Sequence, residues 1–136
     1  MSAASNFLEN ELLDHVLRGS GGAYTAPTTL YLALFTSDGG LENNTSGSQT
    51  EISTSGSAYS RPTIAFNDAS SGSASNSATV TFSAATANWG TVTHVAIMDA
   101  SSGGNVLFHG AVTTSKTIES GDTFQVSSGN LTISLA

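Results

Sequence analysis

The second half of the sequence is a succession of short β-prone segments that are separated by turn-forming residues. Ile64 and Phe66 alternate with small or polar residues, and Val80 and Phe82 alternate with threonine and serine, which suit the solvent side of a sheet. Turns rich in glycine and serine recur at intervals of roughly ten residues. This spacing favours antiparallel neighbours and predicts an all-β fold, either an antiparallel β-sandwich or a flattened barrel.

The N-terminal segment departs from this pattern and has the period of an amphipathic α-helix. Its apolar residues recur every three or four positions and form two adjacent rows: Phe7, Leu8, Leu12, Leu13, Val16 and Leu17. Asn6 followed by Glu9 resembles a capping box, and Gly19 supplies the left-handed residue that ends many helices. The sequence therefore predicts one N-terminal helix over residues 6–18 of a chain that forms a single domain, 1–136.

The segment 29–36 is apolar on both of its alternating faces. One face would carry Leu30, Leu32 and Leu34, and the other would carry Tyr31, Ala33 and Phe35. A strand of this kind must be covered on both sides. We expect the sheet core to cover one face, and the helix or a neighbouring subunit to cover the other. The two helix rows, together with Tyr31 and Phe35, are therefore the candidate interface residues.

Residues 37–58 consist mainly of serine, threonine, glycine and asparagine, and only Leu41 and Ile52 are large aliphatic residues. This composition predicts a flexible loop of roughly 20 residues, and loops of this length are either functional or mobile. Two interpretations stay open from the sequence. The segment is a solvated, mobile loop, or it is an arm that grips a neighbour or presents an outward tip.

A turn at residues 100–103 predicts a hairpin in which Ile97 lies opposite Val106. The same register sets His94 opposite His109, which is the arrangement in this sequence that most resembles part of a metal site. A zinc site needs at least three protein ligands, and the predicted structure places no third ligand beside these two. We therefore interpret the histidines as a cross-strand pair and expect no metal.

A turn at residues 127–130 predicts a second hairpin near the C-terminus. Its register would set Val126 opposite Leu131 and Phe124 opposite Ile133, so that the apolar residues share one face.

The charge balance argues against nucleic acid as a partner. The net charge is −7, and Arg18, Arg61 and Lys116 are the only lysine and arginine residues. Nucleic-acid binding needs a cluster of such cations to neutralise phosphates.

No apolar run reaches the ~20 residues of a membrane span, and no signal peptide is recognisable. We expect a protein that is made in the cytoplasm and has neither nucleic acid nor a membrane as a partner.

The sequence offers no arrangement that is typical of an enzyme. Cysteine is absent, no serine stands in a Gly-x-Ser-x-Gly elbow, and the carboxylates are scattered. We expect no catalytic residues, no cofactor and no small-molecule substrate.

Trp89, which precedes Gly90, would either cap one end of the core or offer a stacking surface to a sugar.

Four segments carry a resemblance to a known family: Leu30–Ser37, Tyr59–Arg61, Phe82–Asp99 and Gly121–Phe124. They resemble a family of small structural proteins of tailed bacteriophage virions. Its members are described either as capsid decoration (cement) proteins or as tail fibre proteins. The resemblance implies a non-enzymatic virion component, and it brings no catalytic residues to this chain.

Compactness favours the cement role, because tail fibres are commonly long, repetitive rods and this chain contains no rod-forming repeat. In that role we expect a homo-trimer on the surface of the phage head that clamps neighbouring subunits of the major capsid protein. Many equivalent copies make modest single contacts sufficient. The alternative is a tail or tail-fibre component that takes part in host receptor binding.

Overall fold

The computed structural model describes residues 3–135 and shows a mostly β protein with one α-helix near the N-terminus, α1 (Asn6–Leu17). The strands are β1 (Ala3–Ala4), β2 (Leu30–Phe35), β3 (Thr63–Ile64), β4 (Ser73–Ser75), β5 (Val80–Thr81), β6 (Gly90–Met98), β7 (Val106–Ile118), β8 (Gln125–Val126) and β9 (Thr132–Ser134). The prediction of an all-β fold with one N-terminal helix is confirmed, and the arrangement is a sandwich and not a closed barrel. No helix among the described residues is long and apolar enough to cross a membrane.

Five strands form one antiparallel sheet in the order β1-β7-β6-β2-β3. The other four form two short ribbons, β4 with β9 and β5 with β8. Strand β2 lies between β6 and β3, and its register with β6 runs without interruption from Tyr31 opposite Met98 to Phe35 opposite His94. As an inner strand, β2 directs its side chains alternately to the two faces of the sheet.

The main core lies between one face of this sheet and the two ribbons. Leu32 and Leu34 of β2 pack there with residues of β6, β5 and β8, and four aromatic rings fill much of the space: Tyr59, Phe82, Trp89 and Phe124. The rings of Tyr59 and Trp89 meet edge to face at a centroid distance of 5.3 Å. Such pairs add to the stabilisation that burial alone provides.

Trp89 belongs to this core. Its side chain is 6% exposed, and its indole Nε1 donates a hydrogen bond to the carbonyl oxygen of Ser57 at 2.8 Å. The core-cap interpretation of Trp89 is therefore correct, and the ring has no free face on which a sugar could stack.

The loop of residues 37–58 covers the opposite face of β2. Ala33 and Phe35 are fully buried on that face, where they pack with Leu41 of the loop and with Met98 and Val106. The expectation that the helix or a neighbouring subunit covers this face is therefore wrong. The chain covers the second face with its own loop.

Side-chain amides fasten the loop to the turn between β6 and β7. Asn44 Nδ2 donates to Asn105 Oδ1 at 2.7 Å, and Asn44 Oδ1 accepts from the backbone N–H of Val106 at 2.8 Å. Asn105 is in turn held by Asp99, whose carboxylate accepts from its backbone and side-chain N–H groups. Asn44 has a φ of +53°, a left-handed conformation in which asparagine is enriched. The loop and the turn therefore form one connected unit.

An ion pair provides a second link between the loop and this turn. The Arg61 Nε and Nη2 atoms donate to the two carboxylate oxygens of Glu51, each at 2.7 Å. The Nη1 atom of Arg61 donates to the carbonyl oxygens of Ala100 at 2.8 Å and Gly103 at 2.9 Å. Because Arg61 is almost fully buried, its planar group fixes the turn as well as the loop.

The predicted register of the β6–β7 hairpin is wrong. The observed pairs are Met98 with Val106, Ile97 with Phe108, Ala96 with His109, and His94 with Ala111. The turn closes with a hydrogen bond from Asp99 N to Asn105 O at 3.3 Å, and it is one residue longer than predicted. A further shift follows between Ile97 and Met98, next to Leu107, which packs against Leu8 of the helix.

The second predicted hairpin is also wrong, although its turn forms. Asn130 N donates to the carbonyl oxygen of Ser127 at 3.0 Å. The flanking strands then diverge, because β8 pairs with β5 and β9 pairs with β4. The pairs Val126 with Leu131 and Phe124 with Ile133 are therefore absent from the described ladders.

Asn76 explains this divergence. Its fully buried side chain donates from Nδ2 to the carbonyl oxygen of Ser127 at 3.0 Å and accepts at Oδ1 from the backbone N–H of Leu131 at 2.9 Å. These are backbone groups at the base of the turn. A buried amide therefore binds the backbone on both sides of the turn, and Leu131 N donates to this amide and not to the opposite strand.

We predict that Arg61→Ala lowers the free energy of unfolding by about 3 kcal/mol, because it leaves Glu51 without its partner and the turn carbonyls without their donor. Arg61→Lys keeps the charge but loses the two-pronged geometry, so it should recover only part of the loss. The exposed cation Lys116 provides the control, and Lys116→Ala should change stability by no more than about 0.5 kcal/mol. Urea unfolding followed by Trp89 fluorescence measures all three variants, and equal effects at positions 61 and 116 would contradict the prediction.

Tyr59 gives the fold a dependence on alkaline pH. Its hydroxyl donates to Glu51 Oε1 at 2.7 Å and accepts from Leu34 N at 3.0 Å. Burial and the negative charge of Glu51 raise the pKa of Tyr59 well above its usual value of 10.0. The protonated, hydrogen-bonded Tyr59 therefore stabilises the folded chain fully below pH 10. Above pH 10 this stabilisation is progressively lost, because only the unfolded chain then releases the tyrosine proton.

The free energy of unfolding should therefore fall above pH 10 by on the order of 1 kcal/mol per pH unit. The Tyr59→Phe variant should be less stable at pH 7, because Leu34 N loses its acceptor, and should show a shallower alkaline decline. Urea titrations at pH 7 to 11 measure both effects. Parallel pH profiles of the two proteins would disprove the assignment.

Candidate docking surface

Helix α1 is anchored at its N-terminus to the sheet and to the loop. Ser5, and not Asn6, is the N-cap, since its Oγ accepts from the backbone N–H of Leu8 at 3.3 Å. The same hydroxyl donates to the carbonyl oxygen of Val106. The backbone N–H of Asn6 donates to the carbonyl oxygen of Glu42 in the loop at 2.8 Å. The first turn of the helix is therefore fixed in position.

The first half of the helix packs against the sheet. Leu8 is buried with Ala4 and Leu107 in a small cluster, and Phe7 and Leu12 pack on its border. Three of the six apolar helix residues that were predicted to form an interface therefore contact their own chain.

The last turns of the helix present an apolar surface to solvent. Leu13, Val16 and Leu17 are 56%, 73% and 74% exposed. Their spacing of three and four residues places them side by side on one face. Single exposed apolar residues are ordinary, whereas adjoining ones mark an interaction site. We call these three residues the helix patch.

The chain that follows the helix holds its last turns in place. The backbone N–H of Tyr24 donates to His15 Nδ1 at 3.0 Å, and Arg18 caps the helix end, where Gly19 has a φ of +57°. Gly22 lies so close to the helix that a Cβ atom there would come within 2.2 Å of the carbonyl oxygen of Asp14. The helix patch is therefore exposed on a helix that is fixed at both ends.

The two strand residues among the candidate interface residues lie on the face that the loop covers. Phe35 is completely buried there, and Tyr31 is half-buried beside it. Of the eight candidates, the structure leaves three freely exposed, and these are the members of the helix patch.

A second apolar feature lies between the sheet and the β4–β9 ribbon. It is a groove of about 280 Å³ that is lined by Leu30, Phe66, Ala69, Gly72, Ser73, Ala74, Ile97, Leu107, Phe108, Ile133 and Leu135. Ser73 has the only polar side chain in this lining, and Leu135 is 56% exposed. We call this feature the β4–β9 groove.

A second cavity of about 170 Å³ shares Ile97, Phe108 and Ile133 with the groove. The sandwich is therefore incompletely filled around these three residues. Neither feature was predicted from the sequence, because the lining residues are scattered over several short segments and no periodic pattern connects them.

The structure does not set the two histidines opposite each other, because His94 pairs with Ala111 and His109 pairs with Ala96. His94 Nδ1 lies 2.8 Å from the hydroxyl of Thr93, while His109 Nε2 lies 2.8 Å from Glu42 Oε2. Within residues 3–135, no group of three or more His, Cys, Asp or Glu residues is arranged to hold a metal ion.

The chain matches the model of a known protein family. A family model described as "Podophage GP4 fiber I protein gp80" matches residues 3–134, which is nearly the whole chain. No curated protein matches the chain. The resemblance to small structural proteins of phage virions is thereby confirmed.

The two halves of the helix should differ in their contribution to folding. Leu8→Ala leaves a cavity in a packed cluster and should lower the free energy of unfolding by about 2 to 5 kcal/mol. Leu17→Ala removes an exposed side chain and should change it by no more than about 0.5 kcal/mol. Urea unfolding of the two variants makes the comparison. A large loss in Leu17→Ala would mean that the helix patch serves folding and not binding.

Proposed function

The chain belongs to the family of podophage GP4 fiber I protein gp80, and on this premise we propose that it is a non-enzymatic structural subunit of a phage fibre. The family is one of phage virion structural proteins, so the chain is a virion component. A structural subunit acts by holding its neighbours, and its function depends on the surface through which it does so.

The observation that carries the proposal is the helix patch. Three large aliphatic side chains are exposed on a helix that is fixed at both ends. Full burial of one such side chain contributes about 1.5 to 3 kcal/mol. A contact of this size is modest alone, but it becomes sufficient when many copies are arranged on one particle. The patch joins the subunit to its neighbour in the fibre.

Capsid cement is the second candidate function. It is favoured by the compact arrangement of 136 residues into one sandwich with a helix, without a rod-forming repeat. In this role a homo-trimer sits on the head surface, and the helix patch docks on the major capsid protein. The two candidates share the docking element and differ in its partner and in the number of copies.

Copy number and location distinguish the two candidates. Gel densitometry of purified particles gives the ratio of this protein to the major capsid protein, and immunogold labelling shows its position. A fibre subunit should be present in tens of copies or fewer at the fibre, whereas cement should be present in hundreds over the head, roughly as icosahedral symmetry dictates. Particles that contain none of the protein would refute both candidates.

Removing the apolar character of the helix patch should prevent incorporation into particles. We expect that the combined substitution Leu13→Gln, Val16→Gln and Leu17→Gln lowers the number of copies per particle at least about tenfold, since a loss of about 1.4 kcal/mol already weakens binding tenfold. The control is Glu9→Gln with Asn10→Gln, at exposed polar positions of the same helix, and it should incorporate normally. Quantitative mass spectrometry of particles measures both, and normal incorporation of the patch variant would exclude the patch as the docking element.

A further inference from the structure

We propose that the neighbour of each subunit is a second copy of this chain, whose β4–β9 groove accepts the helix patch. This inference rests on the proposed function and adds the identity of the partner and of its receiving surface. It is derived from the apolar surfaces that the folded chain leaves uncovered.

The groove has the size and chemistry of an acceptor for aliphatic side chains. Its lining contains no charged residue, and Ser73 is its only polar side chain. An apolar cavity of about 150 Å³ already accommodates a benzene molecule. The groove, at about 280 Å³, therefore has room for the ends of at least two side chains of the helix patch.

The chain itself supplies the matching donor. Four large apolar side chains are exposed among residues 3–135: Leu13, Val16, Leu17 and Leu135. Leu135 lines the groove, and the other three form the helix patch. No residue of α1 lines the groove of its own chain. The contact between two copies would therefore cover all four exposed residues at once, which folding of a single chain does not achieve.

Charge also favours this orientation. The net charge of −7 makes most pairs of surfaces on two copies repel each other. Arg18 directly follows the helix patch, and its exposed guanidinium lies 3.6 Å from the carboxylate of Asp14. Asp68 is exposed and precedes Ala69 in the groove lining. Docking the patch in the groove brings this cation towards Asp68 of the second copy.

The contact joins two different surfaces and is therefore heterologous. Contacts of this type close into rings when the rotation between copies permits, and otherwise continue as filaments. Closure after three copies would produce the trimer that the sequence suggested. Continued addition would produce a fibre, so the same contact serves either arrangement.

A mixing experiment tests the contact directly. One variant, Val16→Gln with Leu17→Gln, lacks the patch but keeps the groove. The other variant, Ala69→Tyr, fills the groove at an exposed position but keeps the patch. We expect the parent chain to associate, each variant alone to be monomeric, and the equimolar mixture to form a one-to-one dimer, as measured by sedimentation velocity and native mass spectrometry.

Charge reversal provides a test that does not depend on the apolar substitutions. Arg18→Glu and Asp68→Arg should each weaken association up to about fivefold, as expected for an exposed ion pair, and the chain that carries both should recover it, because the pair is restored with opposite polarity. Circular dichroism and urea unfolding verify that every variant is folded.

The outcomes separate this inference from the proposed function. A parent chain that remains monomeric, a mixture that forms no dimer, or an Ala69→Tyr variant that associates like the parent would each overturn the groove contact. The last result would indicate that patches bind each other. If the protein is nonetheless present in particles in a patch-dependent manner, the structural role stands and the partner is another virion protein.

Discussion

Strand β2 is apolar on both faces, and the need to cover both of them within one chain determines how the other elements are arranged. The ribbons and the aromatic rings cover one face of β2, and Leu41 of the loop packs against the other face. Burying a leucine contributes about 1.5 to 3 kcal/mol, but only if the loop that carries it stays closed. The loop must therefore be fastened by other interactions, and these are polar.

Two of the fastening side chains, Asn44 and Arg61, bind the turn between β6 and β7. Asn44 binds Asn105 and the backbone beside it, and Arg61 binds two turn carbonyls while it pairs with Glu51. Each of these side chains satisfies backbone groups that would otherwise lack partners. This explains why a chain with only three lysine and arginine residues places one of them in the interior. Arg61 lies in one of the segments by which the sequence resembles phage structural proteins. Its role in this chain is to hold the loop and the turn together.

The sequence predicted the elements that depend on local periodicity and failed where single polar side chains decide the pairing. The alternation of apolar residues and the helical rows were sufficient to indicate a β-sandwich with one helix. The register of β6 and β7 depends on Asn105, and the partners of β8 and β9 depend on Asn76, which no periodic pattern reveals. Periodicity also identified the apolar rows of the helix without showing that Leu8 is buried and Leu17 is not. The β4–β9 groove is formed by residues from distant segments, and its existence follows only from the tertiary structure.

The charge balance of this protein bears on the contact that we propose between two copies. Ten carboxylates face three fixed cations, and Glu51 is the acid that pairs with Arg61. Copies of the chain therefore repel each other at long range, and salt screens this repulsion within about 10 Å at ordinary ionic strength. The association that we propose would then depend on short-range apolar contacts, which act only when two surfaces fit closely. Under the contact that we propose, a chain that is negative overall and apolar at one helix end would stay apart from its copies until the helix patch meets the β4–β9 groove.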